Sequence, residues 1–214
     1  MIPVLIIPIL NRYDLLEETL ASIDYPIKEI LIINNNPGEK YSSNMENVRV
    51  LNLPSNLGIS GSWNLGIKLY PHEKYWLIGS ADTSFKPGAL ELMHQFSGPD
   101  YFIKSNAHYS CFSVGENIVK TIGLFDEYIY PAYFEDNDFD DRMVKAGFAE
   151  KILCPGIQVD DHGASQTIKS NQNYAHKNHQ TFKRNQSYYL NKKSSGDYSV
   201  RGWDLLVRRE NEWL

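Results

Sequence analysis

Apolar and polar stretches alternate along the first half of the chain in a way that predicts a parallel β-sheet. Short, almost wholly apolar runs are typical of strands buried on both faces. These runs lie at 4–10, 29–33, 48–53 and 75–78. Helices are predicted between them at 14–23 and 60–70, and Asp14 and Glu17 form a candidate capping box for the first. Strands that alternate with helices indicate an α/β fold.

The second half of the chain has a different pattern. After a helix at 88–96, two short strands at 101–105 and 109–114 have little between them, which favours an antiparallel pair. Residues 166–189 are polar and have only weak helical periodicity. Further helices are predicted at 117–122, 136–146 and 203–214. We therefore expect a single α/β domain with a mixed, mostly parallel central sheet flanked by helices, and a small antiparallel portion.

Composition limits the possible partners and compartment. The chain has 214 residues, 42% of them apolar, which is ordinary for one globular domain. A net charge of −5 argues against nucleic-acid binding, and no apolar run is long enough to span a membrane. With two cysteines and no signal-peptide pattern, we expect a soluble protein of the reducing cytoplasm. The last residues, 203–214, have the pattern of an amphipathic helix with no polar tail after it, so the sequence could be one domain of a longer chain.

Asp82 lies just past the strand predicted at 75–78, where open α/β sheets bind ligands. It is therefore a candidate ligand of a metal ion or a ribose. The alternative is that 80–83 is a turn and that Asp82 caps the next helix.

Polar clusters also follow the other predicted strands. Arg12 could meet a phosphate or a base edge, and the amides of Asn34 and Asn35 could contact a base. The helix that begins near Gly58 offers backbone N–H groups to a phosphate or a sugar hydroxyl. When each cluster is taken alone, turn chemistry is the better explanation.

Two later clusters are more specific. The first places Glu135, Asp136 and Asp138 at a predicted helix start, beside two further aspartates. The helix dipole favours acidic residues there, but crowded carboxylates also gain proton affinity, which suits a general base. The second is His162, which follows two aspartates at the end of an extended segment and is a candidate metal ligand.

The order of these clusters resembles the GT-A-fold glycosyltransferases of family 2, inverting enzymes that use nucleotide sugars. The resemblance covers roughly residues 3–190. It implies a nucleotide-binding half at 1–105, an acceptor-binding and catalytic half at 106–190 and a C-terminal helix at 191–214. The nucleotide-binding residues that it implies are Pro8, Leu10, Asn11, Arg12, Asn34, Asn35, Asn56, Gly58, Ser60, Asn64, Ser80, Ala81 and Asp82.

The resemblance also implies chemical roles. Asp82 and His162 would hold Mn²⁺, or Mg²⁺, on the diphosphate of a nucleotide-sugar donor. Asp136 is the first choice for the general base and Asp138 the second. Glu135 would orient the acceptor or a sugar hydroxyl. Trp63 and Tyr133 would also line the site of the acceptor or the donor sugar. The acceptor would be a glycan or glycoprotein.

The chain departs from the family pattern in two places. Ser80 stands where the family usually has the first aspartate of its Asp-x-Asp motif, so one anionic contact is lost. Asn34 and Asn35 replace the acidic pair that typically meets the uracil. These departures leave open a non-catalytic module that binds a nucleotide sugar or glycan. A nucleotidyltransferase would typically have a glycine-rich first loop with a basic residue, and the chain has only Asn11 and Arg12 there, which disfavours that class.

Overall fold

A computed structural model describes residues 1–163, 165–170 and 172–200 of the chain. The strands are β1 (Ile2–Ile9), β2 (Ile27–Asn34), β3 (Val48–Asn52), β4 (Tyr75–Gly79), β5 (Ser84–Phe85), β6 (Phe102–Ser105), β7 (His108–Gly115), β8 (Ile152–Leu153) and β9 (Val159–Asp160). The helices are α1 (Tyr13–Ala21), α2 (Gly58–Leu69), α3 (Ala89–Phe96), α4 (Glu116–Ile122), α5 (Glu135–Lys145), α6 (Gln166–Lys169) and α7 (Gln172–Ser195).

The central sheet has the strand order β3-β2-β1-β4-β7-β6-β8 in the described residues. Strand β7 runs antiparallel to both of its neighbours, and the other pairs are parallel. A separate antiparallel ribbon joins β5 to β9. The expected α/β fold, with a mixed, mostly parallel sheet and a small antiparallel portion, is confirmed.

Two hydrophobic cores cover the two faces of this sheet. Along β1, Val4 and Ile6 point into a core shared with α2, α4 and α5, whereas Leu5 and Ile7 point into a core shared with α1 and α3. This alternation follows from the two-residue period of a strand. It explains why the sequence of β1 is aliphatic throughout and not alternately polar.

Helix α2 packs closely on β1 because Gly66 has no side chain. A Cβ atom at this position would lie 2.6 Å from Cγ2 of Ile6. The close approach fixes α2 against the strand. None of the helices in the described part of the chain combines the length and apolarity that crossing a bilayer requires.

The predicted cap of the first helix is wrong. Helix α1 begins at Tyr13, and Arg12 occupies the N-cap position in the left-handed region with φ 59°. Asp14 lies inside the first turn and accepts a hydrogen bond from Nε of Arg12 at 2.9 Å. Glu17 instead accepts the hydroxyl of Tyr41 at 2.6 Å. The helix predicted at 203–214 lies outside the described residues.

Candidate active site

Asp82 and His162 leave the β5–β9 ribbon at the same end. The ribbon pairs Ser84 with Asp160 and Phe85 with Val159. Asp82 and His162 each lie two residues beyond the Ser84–Asp160 pair, and the charge of His162 acts on the carboxylate of Asp82. The strand pairing therefore brings together two residues that are far apart in the sequence.

The surroundings of Asp82 exclude the simple capping role. Among the described residues no side chain caps α3, and the backbone N–H of its N-cap residue, Gly88, donates to the carboxylate of Asp24 at 2.8 Å. Asp82 instead accepts the backbone N–H of Gln166 at 3.4 Å. Burial raises the pKa of Asp82, while the N–H of Gln166 and the charge of His162 oppose that rise.

The imidazole of His162 lies between a hydroxyl and a carboxylate. Its Nε2 atom is 3.3 Å from Oγ of Ser84 and 3.7 Å from Oε2 of Glu18. Its backbone N–H donates to Asp160 at 3.0 Å. These contacts hold the ring at the end of the ribbon, next to Asp82.

The two candidate metal ligands, Asp82 and His162, are one carboxylate and one imidazole. Such a pair suits a divalent ion, and the nitrogen ligand favours Mn²⁺ over Mg²⁺. In the described residues, no three His, Cys, Asp or Glu side chains are grouped as a complete metal site would require. A metal held by Asp82 and His162 would therefore need further oxygen ligands from a bound diphosphate or water.

The turn before α5 contacts the segment that follows His162. The hydroxyl of Tyr133 lies 3.1 Å from Oγ of Ser165, whose neighbour Gln166 binds Asp82. Tyr133 and Phe134 both have positive φ, 74° and 78°. Each such backbone conformation costs on the order of 1–3 kcal/mol in a residue other than glycine, so the packing around the turn must hold it.

The three carboxylates at the start of α5 have different environments. Asp138 is 0% exposed, accepts Nε of Arg142 at 2.8 Å and lies 2.6 Å from Nζ of Lys192. Glu135 is buried, and its Oε2 has no hydrogen-bond partner among the described residues. Burial and, second, the charge of Asp136 raise the pKa of Glu135 to about 8. Asp136 is partly exposed, and the backbone N–H of Asn137 donates to it at 2.8 Å.

The amide of Asn34 is saturated by protein groups. Its nitrogen donates to the carbonyl of Glu39 at 2.7 Å and to the side chain of Asn52 at 2.8 Å. Its oxygen accepts the hydroxyl of Tyr13 and the N–H of Asn36. An amide has two donors and two acceptor lone pairs, so none is left for a ligand.

Asn35 is bound in the same way. Its amide nitrogen donates to Ser62 at 2.9 Å and to the carbonyl of Ile33, and its oxygen accepts the N–H of Leu57 at 2.9 Å. Both asparagines thus fix the loops that follow β2 and precede α2.

The start of α2 is capped by the protein itself. Asn56 accepts the N–H of Gly58 at 2.8 Å, and the carbonyl of Pro131 accepts the N–H of Ile59 at 2.8 Å. These N–H groups are therefore not free for a phosphate. Ser60, a predicted nucleotide contact in this helix, has a buried hydroxyl with no hydrogen-bond partner in the part of the chain that the structure describes.

Trp63 and Asn64 lie in the core. The ring of Trp63 packs edge-on against Phe125 with the ring centroids 4.8 Å apart. The amide of Asn64 donates to the backbone carbonyl of Phe125 and accepts a hydrogen bond from the backbone N–H of Phe125. It also donates to the carboxylate of Glu127 at 2.8 Å. Their contacts are with the protein interior, and we leave both residues out of the proposed ligand-binding surface.

The residues after β1 contact α1 and α6. Pro8 is paired with β2 inside the sheet, and Leu10 is half-buried. Asn11 donates to the carbonyl of Thr167 at 3.0 Å and thereby ties β1 to α6. Arg12 is engaged with Asp14, so it would have to leave this partner to bind a phosphate.

The turn between β4 and β5 is fixed on two sides. The N–H of Ser80 donates to the carbonyl of Ser110 at 2.7 Å, and the carbonyl of Ala81 accepts the hydroxyl of Thr19 at 2.9 Å. This anchoring to β7 and α1 sets the position of Asp82.

A family model supplies the link to known proteins. The model described as glycosyl transferase family 2 matches residues 4–125, more than half of the chain. The chain belongs to glycosyl transferase family 2.

Individual relatives of this glycosyltransferase are distant. A galactofuranosyl glycosyltransferase of Leishmania donovani is 31% identical over 98 residues, which are 46% of this chain and 21% of the relative. The fold is similar to that of the mannosyltransferase PcManGT from Pyrobaculum calidifontis, solved with GDP-Man and Mn²⁺. That likeness has a TM-score of 0.55 and 13% identity, and covers 72% of this chain and 54% of that one.

Staphylococcus aureus TarS 1–349, solved with UDP, is also similar. The TM-score is 0.52 at 17% identity, over 74% of this chain and 60% of that one. At such identities the solved structures show the GT-A fold and not the substrate. The chain spans about a fifth of the curated relative and little more than half of these solved chains.

Four residues around the candidate site are outside the set predicted from the sequence, and one of them is Ser84, which contacts His162. Glu18 sits on an exposed position of α1, and no pattern marks it. Ser165 and Gln166 follow His162 closely, and that proximity is the one signal that could have indicated them.

Proposed function

We propose that this family 2 glycosyltransferase is a metal-dependent, inverting enzyme. It moves a sugar from a nucleotide diphosphate sugar, with a UDP-sugar as the first candidate, to a hydroxyl of a glycan or glycoprotein. One observation carries the proposal. Asp82 and His162 lie at the same end of the ribbon, where the charge of His162 acts on Asp82, and the Tyr133–Ser165 contact brings the start of α5, which holds Asp136, to the same region.

The donor side of the site is assigned to Asp82 and His162. A divalent ion bound there, Mn²⁺ or alternatively Mg²⁺, supplies Lewis-acid stabilisation to the diphosphate that leaves the sugar. The carboxylate of Asp82 and the imidazole of His162 would hold it, with Ser84 and Glu18 orienting the ring. The mannosyltransferase solved with GDP-Man and Mn²⁺ and TarS solved with UDP support this class of ligand.

Asp136 is assigned as the general base. It takes the proton of the acceptor hydroxyl as that oxygen attacks the anomeric carbon opposite the leaving diphosphate, which inverts the configuration. Asp138 is poorly suited to this role, because Arg142 and Lys192 hold its carboxylate inside the protein. We therefore assign to Asp138 the positioning of α5 and α7.

Glu135 has a third role in the proposal. With a pKa of about 8 its carboxyl group is largely protonated at neutral pH, so it can both donate and accept a hydrogen bond. Such a group suits the orientation of an acceptor or sugar hydroxyl. Tyr133, at the start of the same turn, would line that part of the site.

The nucleobase side needs a different assignment from the one expected. The saturated amides of Asn34 and Asn35 would shape the nucleobase pocket through the loops that they fix and would not contact the base directly. Ser80 would meet the ribose through a neutral hydroxyl. The division into a nucleotide-binding half at 1–105 and a catalytic half at 106–190 is part of this proposal.

A donor-hydrolysis and transfer assay tests the proposal. The protein is incubated with a panel of UDP- and GDP-sugars, with Mn²⁺ or with a chelator, and the released nucleoside diphosphate is measured. We expect metal-stimulated release for at least one donor, and loss of release in Asp136→Asn. Tight binding of a nucleotide sugar without release under any condition would favour the alternative, a non-catalytic binding module.

A further inference from the structure

The loop at 130–133 is bound by a single buried amide of α7. Nδ2 of Asn185 donates to the carbonyl of Tyr130 at 3.1 Å and to the carbonyl of Ala132 at 2.9 Å. Asn185 is 1% exposed, and the neighbouring guanidinium of Arg184 also donates to the carbonyl of Tyr130. Both donors of the amide are thus used to fix two carbonyl groups of one short loop.

The opposite side of this loop is bound by the start of α2. The carbonyl of Pro131 accepts the N–H of Ile59 at 2.8 Å. Gly58, with φ 73°, leaves no space for a side chain there, because a Cβ atom would lie 2.8 Å from the same carbonyl oxygen. The loop is therefore held between α2 and α7, and its position depends on both.

The strained turn, Tyr133 and Phe134, lies at the end of this loop. Both residues have left-handed backbone conformations, which residues other than glycine adopt only when the surroundings enforce them. Their rings pack on α7, with Phe134 4.9 Å from Phe182 and 5.8 Å from Tyr189 between ring centroids. Helix α7 thus supplies both the amide before the turn and the rings against it.

Helix α7 is itself fixed two turns beyond Asn185. Nζ of Lys192 lies 2.7 Å from Oδ2 of Asp126 and 2.6 Å from Oδ1 of Asp138. All three groups are buried, so the helix cannot shift along its axis without separating charges in the interior. Asn185 is therefore presented to the loop from a rigid element.

We propose that Asn185 is a positioning residue for the transfer reaction. It acts through the loop at 130–133 and the turn at Tyr133 and Phe134, and thereby sets the direction of Asp136. This inference rests on the proposed function of Asp136. It assigns to α7 a catalytic contribution that its polar sequence does not suggest.

Substitution of Asn185 by leucine tests the inference. Asn185→Leu keeps the approximate volume and removes both donors, and Asn191→Leu makes the same change at an exposed position of the same helix. We expect kcat for transfer to fall about 10- to 100-fold in Asn185→Leu, the size of effect that misplacing a catalytic group produces. The affinity for UDP with Mn²⁺ should stay within about twofold, and Asn191→Leu should resemble the wild type.

Hydrogen exchange gives a readout that does not depend on activity. In Asn185→Leu the amides at 130–136 should exchange at least about tenfold faster, while those of the ribbon at 82–85 keep their protection. Asn185→Ser retains one hydroxyl donor and should fall between the wild type and Asn185→Leu in both readouts. If Asn185→Leu does not fold, Asn185→Ser takes its place in both measurements.

Two results would overturn the inference. One is a kcat of Asn185→Leu that equals that of the wild type when both are assayed well below the melting temperature. The other is amide hydrogen exchange in Asn185→Leu that is faster evenly over the whole chain. If the wild type itself transfers no sugar, the proposed function fails. The exchange at 130–136 then still decides whether Asn185 holds the loop.

Discussion

The hydroxyl of Tyr133 and the hydroxyl of Ser165 lie 3.1 Å apart, and they join the two sides of the proposed site. Tyr133 lies in the turn before α5, the helix that carries Asp136, and Ser165 lies on the segment between His162 and α6. The contact therefore couples the proposed general base to the proposed metal ligands.

Loss of this contact should lower turnover without unfolding the protein. Tyr133→Phe and Ser165→Ala each remove one hydroxyl, and we expect each to reduce kcat by about 2- to 10-fold, as for one neutral hydrogen bond. The double variant should be no worse than either single one, since both remove the same interaction. Tyr70→Phe is the control, because Tyr70 binds Glu29 at the other end of the sheet. Additive effects in the double variant would contradict the coupling.

Asp136 and Asp138 should give opposite results when each is changed to asparagine. Asp136→Asn should lower kcat by about 10²-fold or more with little change in stability, because it removes the proposed base from a partly exposed position. Asp138→Asn should lower the free energy of unfolding by about 3–5 kcal/mol, because it leaves the buried cation of Arg142 without its carboxylate and takes one of two carboxylates from Lys192, which keeps Asp126. Chemical denaturation and steady-state kinetics on both variants measure the two effects. A stable but inactive Asp138→Asn, beside an active Asp136→Asn, would reverse our assignment of the base.

Substitution of Asp82 or His162 should remove the metal dependence of nucleotide binding. In wild-type protein, Mn²⁺ should tighten UDP binding, and in Asp82→Ala and His162→Ala this gain should be lost. Isothermal titration with UDP, with and without Mn²⁺, measures the difference. Asp100→Asn is a control in which a carboxylate is lost from an exposed loop. A full Mn²⁺ effect in Asp82→Ala would exclude Asp82 from the metal site.

The elements of the sheet could be predicted from the sequence because their signal is local. Strand β1 is buried on both faces, so its residues are aliphatic throughout, and the predicted run at 4–10 overlaps the observed Ile2–Ile9. The long helix α7 is harder to predict from the sequence. It is mostly exposed, and its few buried side chains, Asn185, Tyr189 and Lys192, are largely polar and give no apolar stripe.

The contacts of the candidate site depend on residues that are distant in the sequence. Nothing near Asn34 shows that Tyr13 and Asn52 will saturate its amide. Asp136 and Asp138 belong to the same acidic run, and Lys192 on α7 helps to bury one of them and not the other. The capping box at Asp14 fails for a local reason that the pattern does not show, because Arg12 takes the carboxylate.

The raised pKa of Glu135 should make the stability of the protein depend on pH between about 4.5 and about 8. The folded state keeps this carboxyl group protonated up to about 8, whereas in the unfolded chain it ionises near 4.5. The unfolded chain therefore releases a proton that the folded state retains, so the stabilisation is complete below pH 4.5 and is lost as the pH rises towards 8.

Glu135→Gln removes the ionisation and keeps the shape of the side chain. The variant should therefore become more stable than the wild type as the pH rises, by at most about 1.4 kcal/mol per pH unit, and the difference should level off above pH 8. Urea denaturation of both proteins from pH 5 to 9 measures this difference, with Glu46→Gln at an exposed site as the control. Parallel stability curves would mean that Glu135 is ionised in the folded protein at neutral pH. Its assignment as a donor to a substrate hydroxyl would then fail, whereas that of Asp136 as the base would stand.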